Sequence, residues 1–118
     1  MKALCGDRLA IFAGLDDMVF EAAVAGAVGW IAGLVNALPR ETMALFNQKS
    51  SALYRWFLPL LRMDTVPKFV QLIKLVQQEC GMGHERVRGP RLVLAGAERE
   101  EALAIIRSAL AARPKLPQ

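Results

Sequence analysis

The stretch RLAIFAGLDDMVFEAAVAGAVGWIAGLVNALP, residues 8–39, decides how this sequence folds. Residues 8–13 form a short apolar run that ends at Gly14, and residues 29–35 form a second run without charge. Each run has the length and composition of a strand buried on both faces. The segment between them is long enough for the crossover that joins parallel strands. The stretch therefore predicts one βαβ unit.

The segment between the two runs predicts a helix. Asp16 is placed to cap it, Gly26 is placed to stop it, and its apolar positions repeat at helical spacing: Val19, Phe20, Ala23 and Val24. Ligands of such units bind beyond the carboxyl ends of the strands. We therefore expect any site at residues 14–17 and 33–36.

Composition and length describe a folded domain with an incomplete sheet. The chain has 118 residues, of which 54% are hydrophobic and 22% charged, and this balance excludes a disordered polypeptide. Two parallel strands are fewer than the roughly four to six of an ordinary open sheet. We therefore expect that further strands are missing or that a partner supplies them.

Charge and cysteine content exclude several classes of protein. The net charge is +4, but the basic residues are scattered apart from Arg86, Arg88 and Arg91, and no aromatic residues interleave with these. The pattern therefore predicts no nucleic-acid binding.

Cys5 and Cys80 lack CxxC spacing. They are interpreted as free, mostly buried thiols of a cytoplasmic protein.

One segment raises the alternative of a membrane span. Residues 22–39 carry no charge, approach the length needed to cross a bilayer and contain a GxxxG at Gly29 and Gly33. Gly26 and Gly29 would interrupt a helix, and Asn36 and Pro39 close the segment. The strand interpretation is therefore preferred, and no membrane association is predicted.

Helical patterns follow Pro39. One helix begins there, and residues 47–51 (NQKSS) leave two alternatives open. Either the helix ends and Ser50 or Ser51 caps a second helix, which Pro59 would kink, or residues 41–61 form one bent helix.

The remainder predicts two more helices around a loop. Thr65 is expected to cap the first, which ends at Gly81 and has a polar face formed by Lys68, Gln71, Lys74 and Gln78. The last helix covers residues 98–112. Residues 81–95 form the loop, in which Leu92, Val93 and Leu94 are expected to cover the side of the domain, and Pro114 and Pro117 mark an exposed tail.

Few residues are placed to carry chemistry. Asp16 and Asp17 follow the first strand, where carboxylates bind hydroxyl groups, amines or metals, although a helix cap and a first-turn charge explain them equally well. His84 is the only histidine, and we expect it on a surface loop without a metal site. No lysine lies on a predicted strand, so spacing alone indicates no catalytic residue and no cofactor.

Four motifs occur in order along the chain: Gly14-Leu15-Asp16-Asp17, the segment from Gly29 to Asn36 with Pro39 after it, Asp64-Thr65-Val66-Pro67-Lys68 and Arg88-Gly89-Pro90-Arg91. Together they resemble the C-terminal part of the dihydrodipicolinate synthase and N-acetylneuraminate lyase family, over almost the whole chain. Family members are Schiff-base lyases on a (β/α)8 TIM barrel with three extra C-terminal helices.

The resemblance implies an α/β fold that is a partial barrel and mostly helical by residue count. Residues 1–39 would supply the last two barrel strands with their crossover helix, and residues 40–118 the C-terminal helical tail, within a single fragment domain. A complete barrel needs about 250 residues, which accounts for the missing strands.

The resemblance also implies roles for five residues, here named the pocket wall: Gly14, Asp16, Asp17, Ile31 and Gly33. The Gly14 backbone would line the pocket, and the acidic pair would contact the far end of a second substrate. The Ile31 carbonyl would lie beside the Schiff-base lysine and its bound keto acid, with Gly33 at the pocket edge. The implied partner is a small 2-keto acid such as pyruvate, with no cofactor and no metal.

The family's Schiff-base lysine and relay tyrosine belong to earlier strands, and the resemblance places both before Met1. We therefore expect the chain to be inactive alone. Trp30 and the Ala32-Gly33 pair depart from the usual synthase strand. They are closer to relatives that act on other 2-keto acids or deaminate hydroxyproline-derived imines. A further alternative is a non-enzymatic helical module that self-associates through exposed apolar faces.

Overall fold

The computed structural model describes residues 1–116 and consists largely of helices around one parallel strand pair. Its helices are α1 (Lys2–Cys5), α2 (Val19–Val24), α3 (Pro39–Gln48), α4 (Ser51–Leu61), α5 (Phe69–Glu79) and α6 (Gly96–Ala111). The strands are β1 (Phe12–Ala13) and β2 (Gly29–Trp30). Three 3-10 turns join these elements: the Asp16 turn (Asp16–Met18), the Leu34 turn (Leu34–Asn36) and the Asp64 turn (Arg62–Thr65).

The βαβ unit is present, with much shorter strands than predicted. β1 and β2 pair in parallel, Phe12 opposite Gly29 and Ala13 opposite Trp30. The Phe12 ring lies against the Cα of Gly29, where any side chain would overlap it. The prediction of strands over residues 8–13 and 29–35 was wrong in extent, because neither strand has a second hydrogen-bonded neighbour within residues 1–116.

The predicted burial of both strand faces was also wrong. Leu9 is 56% exposed, Phe12 57% and Ile31 73%. A two-stranded sheet has no neighbouring strands to extend its packed surface, so these side chains stay open to solvent.

Residues 40–61 form two helices, which decides between the two alternatives. Lys49 adopts a left-handed conformation with φ 50° and ends α3, and the Ser50 hydroxyl accepts a hydrogen bond from the Leu53 amide at 3.3 Å. α4 then continues through Pro59 to Leu61.

The core lies between the Leu34 turn and the helices. Its fully buried side chains come mainly from the Leu34 turn and from α3, α4, α5 and α6: Leu34, Leu38, Leu45, Phe57, Leu60, Leu61, Leu75, Val76 and Ile106. The Trp56 indole donates a 2.8 Å hydrogen bond to the Ala109 carbonyl and thereby links α4 to α6. The core thus joins residues of the βαβ unit to residues of the helical segment.

Several predictions for the helical segment need correction. Thr65 does not cap α5, because its hydroxyl donates to the Arg62 carbonyl within the Asp64 turn and the helix begins at Phe69. Gln71 is buried rather than exposed, because its amide donates to the Leu92 carbonyl at 3.2 Å.

The loop and the chain end also differ from expectation. Only Leu94 of the three apolar loop residues is buried, because Leu92 and Val93 face solvent. Pro114 is half-buried, and Pro117 lies outside the described residues. Cys5 and Cys80 are free and half-buried, where deeper burial was predicted.

No helix within residues 1–116 has the length and apolar character needed to cross a membrane. Residues 22–39, the candidate span, are divided among α2, β2, the Leu34 turn and the start of α3.

Candidate functional site

The carboxyl ends of β1 and β2 are joined by one buried carboxylate, Asp16. Its Oδ1 accepts hydrogen bonds from the Trp30 indole Nε1 at 3.0 Å and from the Gly33 amide at 3.2 Å. Its Oδ2 accepts from the Gly33 amide at 3.1 Å and from the Leu34 amide at 3.0 Å. The side chain has no solvent exposure. Asp16 therefore fixes the turn that follows β2 onto the turn that follows β1.

This geometry corrects the prediction that Asp16 caps α2. That helix begins at Val19, after the Asp16 turn, and has no side-chain cap. A carboxylate can accept about four hydrogen bonds and is acceptor-only when ionised. The donors that approach it come from across the sheet, because the parallel register brings Trp30 beside Ala13, at the end of β1.

The structure brings the five pocket-wall residues to the same edge of the sheet. Ile31 lies next to the end of β1, because its amide donates to the Ala13 carbonyl at 2.9 Å. Gly14 is exposed, with open space around its Cα. Asp17 is half-buried and adjoins the Asp16 turn, while Gly33 is bound directly by Asp16. No side chain of this set other than Asp16 has a hydrogen bond among the described residues.

Sequence reasoning did not identify Asp64 as part of this site. Asp64 lies on the Asp64 turn, between α4 and α5, and its Oδ1 atom lies against the Cα of Gly33. Burial, followed by the negative charges of Asp16 and Asp17, raises the pKa of Asp64 to about 6. One sequence signal was available: Asp64 is the only acidic residue between Glu41 and Glu79.

Gly33 lies where three elements meet. A Cβ at this position would overlap the Oδ1 atom of Asp64 and the Cδ1 atom of Ile73 on α5. The Gly33 carbonyl accepts a 2.9 Å hydrogen bond from the Asn36 side-chain amide, and the Asn36 backbone carbonyl accepts one at 3.2 Å from the Gln77 side chain on α5. The turn at Gly33 is therefore held from β1 by Asp16 and is in contact with the helical segment through Asp64 and Ile73 on α5.

Tyr54 on α4 supports the Asp16 turn from its other side. Its hydroxyl donates to the Asp17 carbonyl and also contacts both Glu21 carboxylate oxygens, at 3.2 and 3.1 Å. Its ring stacks on Phe20 with centroids 5.1 Å apart. Burial, followed by the Glu21 hydrogen bond, raises the pKa of Tyr54 to about 12, so the phenol stays protonated.

Other candidate chemistry lies away from this edge. His84 is exposed on the loop after α5, as predicted, and its Nδ1 accepts a 3.0 Å hydrogen bond from the Arg86 amide. Burial raises the pKa of the Cys80 thiol, which disfavours the reactive thiolate. Within residues 1–116 no three His, Cys, Asp or Glu side chains are grouped as metal ligands would be.

The arrangement can present and orient groups at the carboxyl ends of the two strands. Its surface includes the exposed Ile31 side chain and the Gly14 backbone, and behind them lie the buried Asp16 and the half-buried Asp64 and Tyr54. No nucleophilic side chain belongs to this edge among the described residues. The fold and the site together define an α/β protein in which helices support the residues that follow a parallel pair of strands.

Comparisons with known proteins give the family. The profile of the Dihydrodipicolinate synthetase family matches residues 1–109, so the chain belongs to this family. This confirms the resemblance drawn from the four motifs.

The chain is 30% identical over 112 residues to the 4-hydroxy-tetrahydrodipicolinate synthase of Geotalea uraniireducens, with 88% of this chain and 38% of that protein covered. It is 26% identical over 113 residues to the synthase of that name from Geotalea daltonii, covering 89% of this chain and 39% of the relative. It therefore spans less than half the length of these relatives. No solved structure matches the chain.

Proposed function

We propose that this chain supplies one wall of the substrate pocket, with its supporting helices, in a Schiff-base lyase of the dihydrodipicolinate synthase type. The reaction class is carbon–carbon bond formation or cleavage on pyruvate or a related 2-keto acid. β1 and β2 would be the last two strands of a (β/α)8 barrel, and α3–α6 the helical tail outside it.

One observation carries the proposal: the Asp16 carboxylate ties the carboxyl ends of two parallel strands to each other. Ligands of α/β barrels bind at this end of the strands. The relatives named above are 4-hydroxy-tetrahydrodipicolinate synthases, and the family match covers the strands and the turns after them.

Each pocket-wall residue then has a defined part. Gly14 and Ile31 would present backbone and apolar surface to the keto acid, and Gly33 would set the pocket edge. Asp17 would face the far end of the second substrate. Asp16 would act from behind the wall, since its oxygens are occupied by the Trp30, Gly33 and Leu34 donors.

The wall alone contains no group that can form an imine. We therefore expect the 118-residue chain, incubated with pyruvate and reduced with borohydride, to gain no covalent mass. Intact-protein mass spectrometry measures this. A stable adduct on the isolated chain would show that the wall-only role is wrong.

A positive test uses a hybrid enzyme. Replacing the matching 38% of the Geotalea uraniireducens synthase with this chain should give a protein that forms the pyruvate adduct. A hybrid that melts cooperatively but forms no adduct contradicts the proposed pocket wall. Assaying the same hybrid for deamination of a hydroxyproline-derived imine distinguishes that alternative substrate class.

A second candidate function is self-association without catalysis. The observation in its favour is the exposed apolar surface beside the sheet, which includes Leu9, Phe12 and Ile31. Apolar patches of this kind mark interfaces.

The free thiols Cys5 and Cys80 fit a reducing compartment, so we place either function in the cytoplasm.

A further inference from the structure

Tyr54, the only tyrosine of the chain, reaches from α4 to the turn that follows β1. Its hydroxyl donates a hydrogen bond to the backbone carbonyl of Asp17, 37 residues earlier in the sequence. Its ring stacks on Phe20, with the ring centroids 5.1 Å apart and the two planes 13° from parallel. One side chain therefore contacts both the Asp16 turn and α2, the helix that follows this turn.

The stack and the hydrogen bond have separate effects on this turn. Because stacking fixes the plane of the ring, the hydroxyl can reach only a small region, and the Asp17 carbonyl lies in that region. The preceding residue, Asp16, is held by the Trp30 indole and the Gly33 amide. The turn is thus bound both to α4 and to the segment that contains β2.

The Asp17 carboxylate depends on this support because it has none of its own. Asp17 is half-buried, and its side chain forms no hydrogen bond with the part of the chain that the structure describes. The direction in which the carboxylate leaves the turn is therefore set by the Asp17 backbone, to which its Cβ atom is attached. That backbone is the part to which Tyr54 binds.

We propose that Tyr54 is a positioning residue, whose hydroxyl holds the Asp17 backbone and so directs the Asp17 carboxylate toward the far end of the second substrate. The inference rests on the proposed function for what the pocket binds. The group bound at this end would be a hydrogen-bond donor, an amine or a hydroxyl group, since a carboxylate accepts hydrogen bonds. The bond between Tyr54 and Asp17 does not itself depend on any substrate.

Glu21 competes with the Asp17 carbonyl for the one hydrogen of the phenol. Both Glu21 carboxylate oxygens lie near the Tyr54 hydroxyl, at 3.2 and 3.1 Å. The charged groups acting on the phenol are Glu21, Asp17 and Arg62. Burial, followed by the Glu21 hydrogen bond, keeps the phenol protonated, so it remains a donor. Removal of the Glu21 carboxylate should therefore leave Asp17 held, whereas removal of the phenol oxygen should release it.

NMR of the isolated chain tests the hydrogen bond. Tyr54→Phe keeps the stack on Phe20 and removes only the hydroxyl. We expect the Asp17 carbonyl 13C resonance to shift in this variant. The residual dipolar couplings of the Asp17 backbone should fall through motional averaging, while those of Phe57, which is fully buried on α4, are kept. Unchanged Asp17 couplings overturn the proposal.

Two matched variants separate positioning from general loosening. Thr42→Val removes another hydroxyl that donates to a backbone carbonyl, that of Leu38 at 2.9 Å, and should keep the Asp17 couplings. Glu21→Ala should also keep them, because the phenol retains its hydrogen for the Asp17 carbonyl. An equal loss of the Asp17 couplings in Thr42→Val contradicts the proposal.

Biosynthetic labelling decides the matter if Tyr54→Phe does not fold. Replacement of the single tyrosine by fluorotyrosine keeps the phenol and lowers its pKa, so that it ionises at milder pH. A phenolate has no hydrogen to donate, so the Asp17 carbonyl resonance should shift with the same midpoint as the phenolate absorbance. An Asp17 resonance that does not follow the ionisation contradicts the proposal.

The hybrid enzyme tests the consequence for the substrate. Tyr54→Phe in the hybrid should raise the half-saturating concentration of the second substrate by up to about tenfold, the effect of one lost hydrogen bond, and leave the pyruvate adduct unchanged. A hybrid that forms the adduct but shows no such rise contradicts the positioning role. A hybrid without the adduct contradicts the proposed function instead, and the NMR readouts, which need no substrate, still decide whether Tyr54 holds Asp17.

Discussion

Gly33 is the pocket-wall glycine whose Cα has the closest neighbouring atoms. The Asp64 carboxylate and the Ile73 side chain both occupy the space that a Cβ would need. Glycine is required here by contact rather than by backbone conformation, since its φ is −75°. The turn after β2 can approach the helical segment closely only because this position lacks a side chain.

Substitution of Gly33 by alanine should therefore destabilise the protein. We expect a loss of about 1–3 kcal/mol in the free energy of unfolding, the usual cost of overpacking a rigid site. Urea denaturation measures it. Gly14→Ala is the matched control, because nothing lies within 4 Å of a Cβ at Gly14. Equal losses in both variants would contradict the contact explanation.

The Asp64 carboxyl group should make stability depend on pH. Its pKa is about 6 in the folded state against an ordinary 3.8, so folding favours the protonated form. The resulting stabilisation is fully present below about pH 3.8 and is lost as the pH rises through about 6. For a partly exposed group we expect an effect on the order of 1 kcal/mol after solvent screening.

Comparison with Asp64→Asn isolates this contribution from that of other carboxylates. Glu85, for example, has a pKa lowered by its hydrogen bond to Arg99, and therefore contributes stability of the opposite pH dependence in acid. The unfolding free energy of wild type relative to Asp64→Asn should fall between pH 4 and 7. A constant difference across this range would count against the raised pKa.

Among the secondary-structure elements, α4 connects the site to the core. Ser50 caps its start, Tyr54 supports the Asp16 turn, Phe57 is fully buried, and the Asp64 turn follows its end. Residues on successive turns of α4 therefore support the Asp16 turn and pack in the core. The position of its first residue matters for both, and the Lys49 turn sets that position.

Lys49 is the single non-glycine residue with a positive φ among residues 1–116. Its left-handed conformation costs a residue with a Cβ roughly 1 kcal/mol, and glycine avoids that cost. We expect Lys49→Gly to raise the free energy of unfolding by up to that amount, measured by thermal or urea denaturation. Gln48→Gly, one residue earlier within α3, should instead lower it, since glycine disfavours a helix.

These features were predicted well where neighbouring residues determine them, and poorly where residues distant in sequence do. Pro39 and Gly81 mark helix ends through backbone chemistry, and both helix boundaries were predicted closely. Gln71 was misassigned because its hydrogen bond is formed with the distant Leu92 carbonyl, which spacing cannot identify, whereas Thr65 failed as a cap because it donates locally to the Arg62 carbonyl within its own turn. The Asp16 prediction failed for the same reason as that for Gln71.

The whole molecule is more open than its length would suggest. Its radius of gyration is 15.3 Å, with extents of 48 × 36 × 21 Å, whereas a compact domain of this size has a radius of about 13.5 Å. The helices pack together on one side of the strand pair, and the opposite side exposes Leu9, Phe12 and Ile31. From the open form and this apolar surface we propose that the surface packs against a second copy of the chain.

We therefore expect the isolated chain to self-associate, with sedimentation coefficients that rise with concentration. The double variant Leu9→Lys, Val28→Lys should weaken this association, since both side chains are more than half exposed beside the sheet. Leu92→Lys is the control, at an apolar and more exposed position on the loop before α6. A concentration-independent monomer of the wild-type chain would contradict the expectation.

The sequence by itself determined the parallel βαβ unit, the helical segment after Pro39, the family and the edge of the sheet proposed for the site. These follow from hydrophobic periodicity, turn residues and ordered motifs, all of which act over short stretches of chain. Only the tertiary structure decided the short extent of the strands, the hydrogen bonds of Asp16 and the position of Asp64 beside Gly33. Those features depend on groups brought together from positions far apart in sequence, such as 16, 33 and 64, because burial removes water and leaves each polar group to bind whichever neighbour the fold supplies.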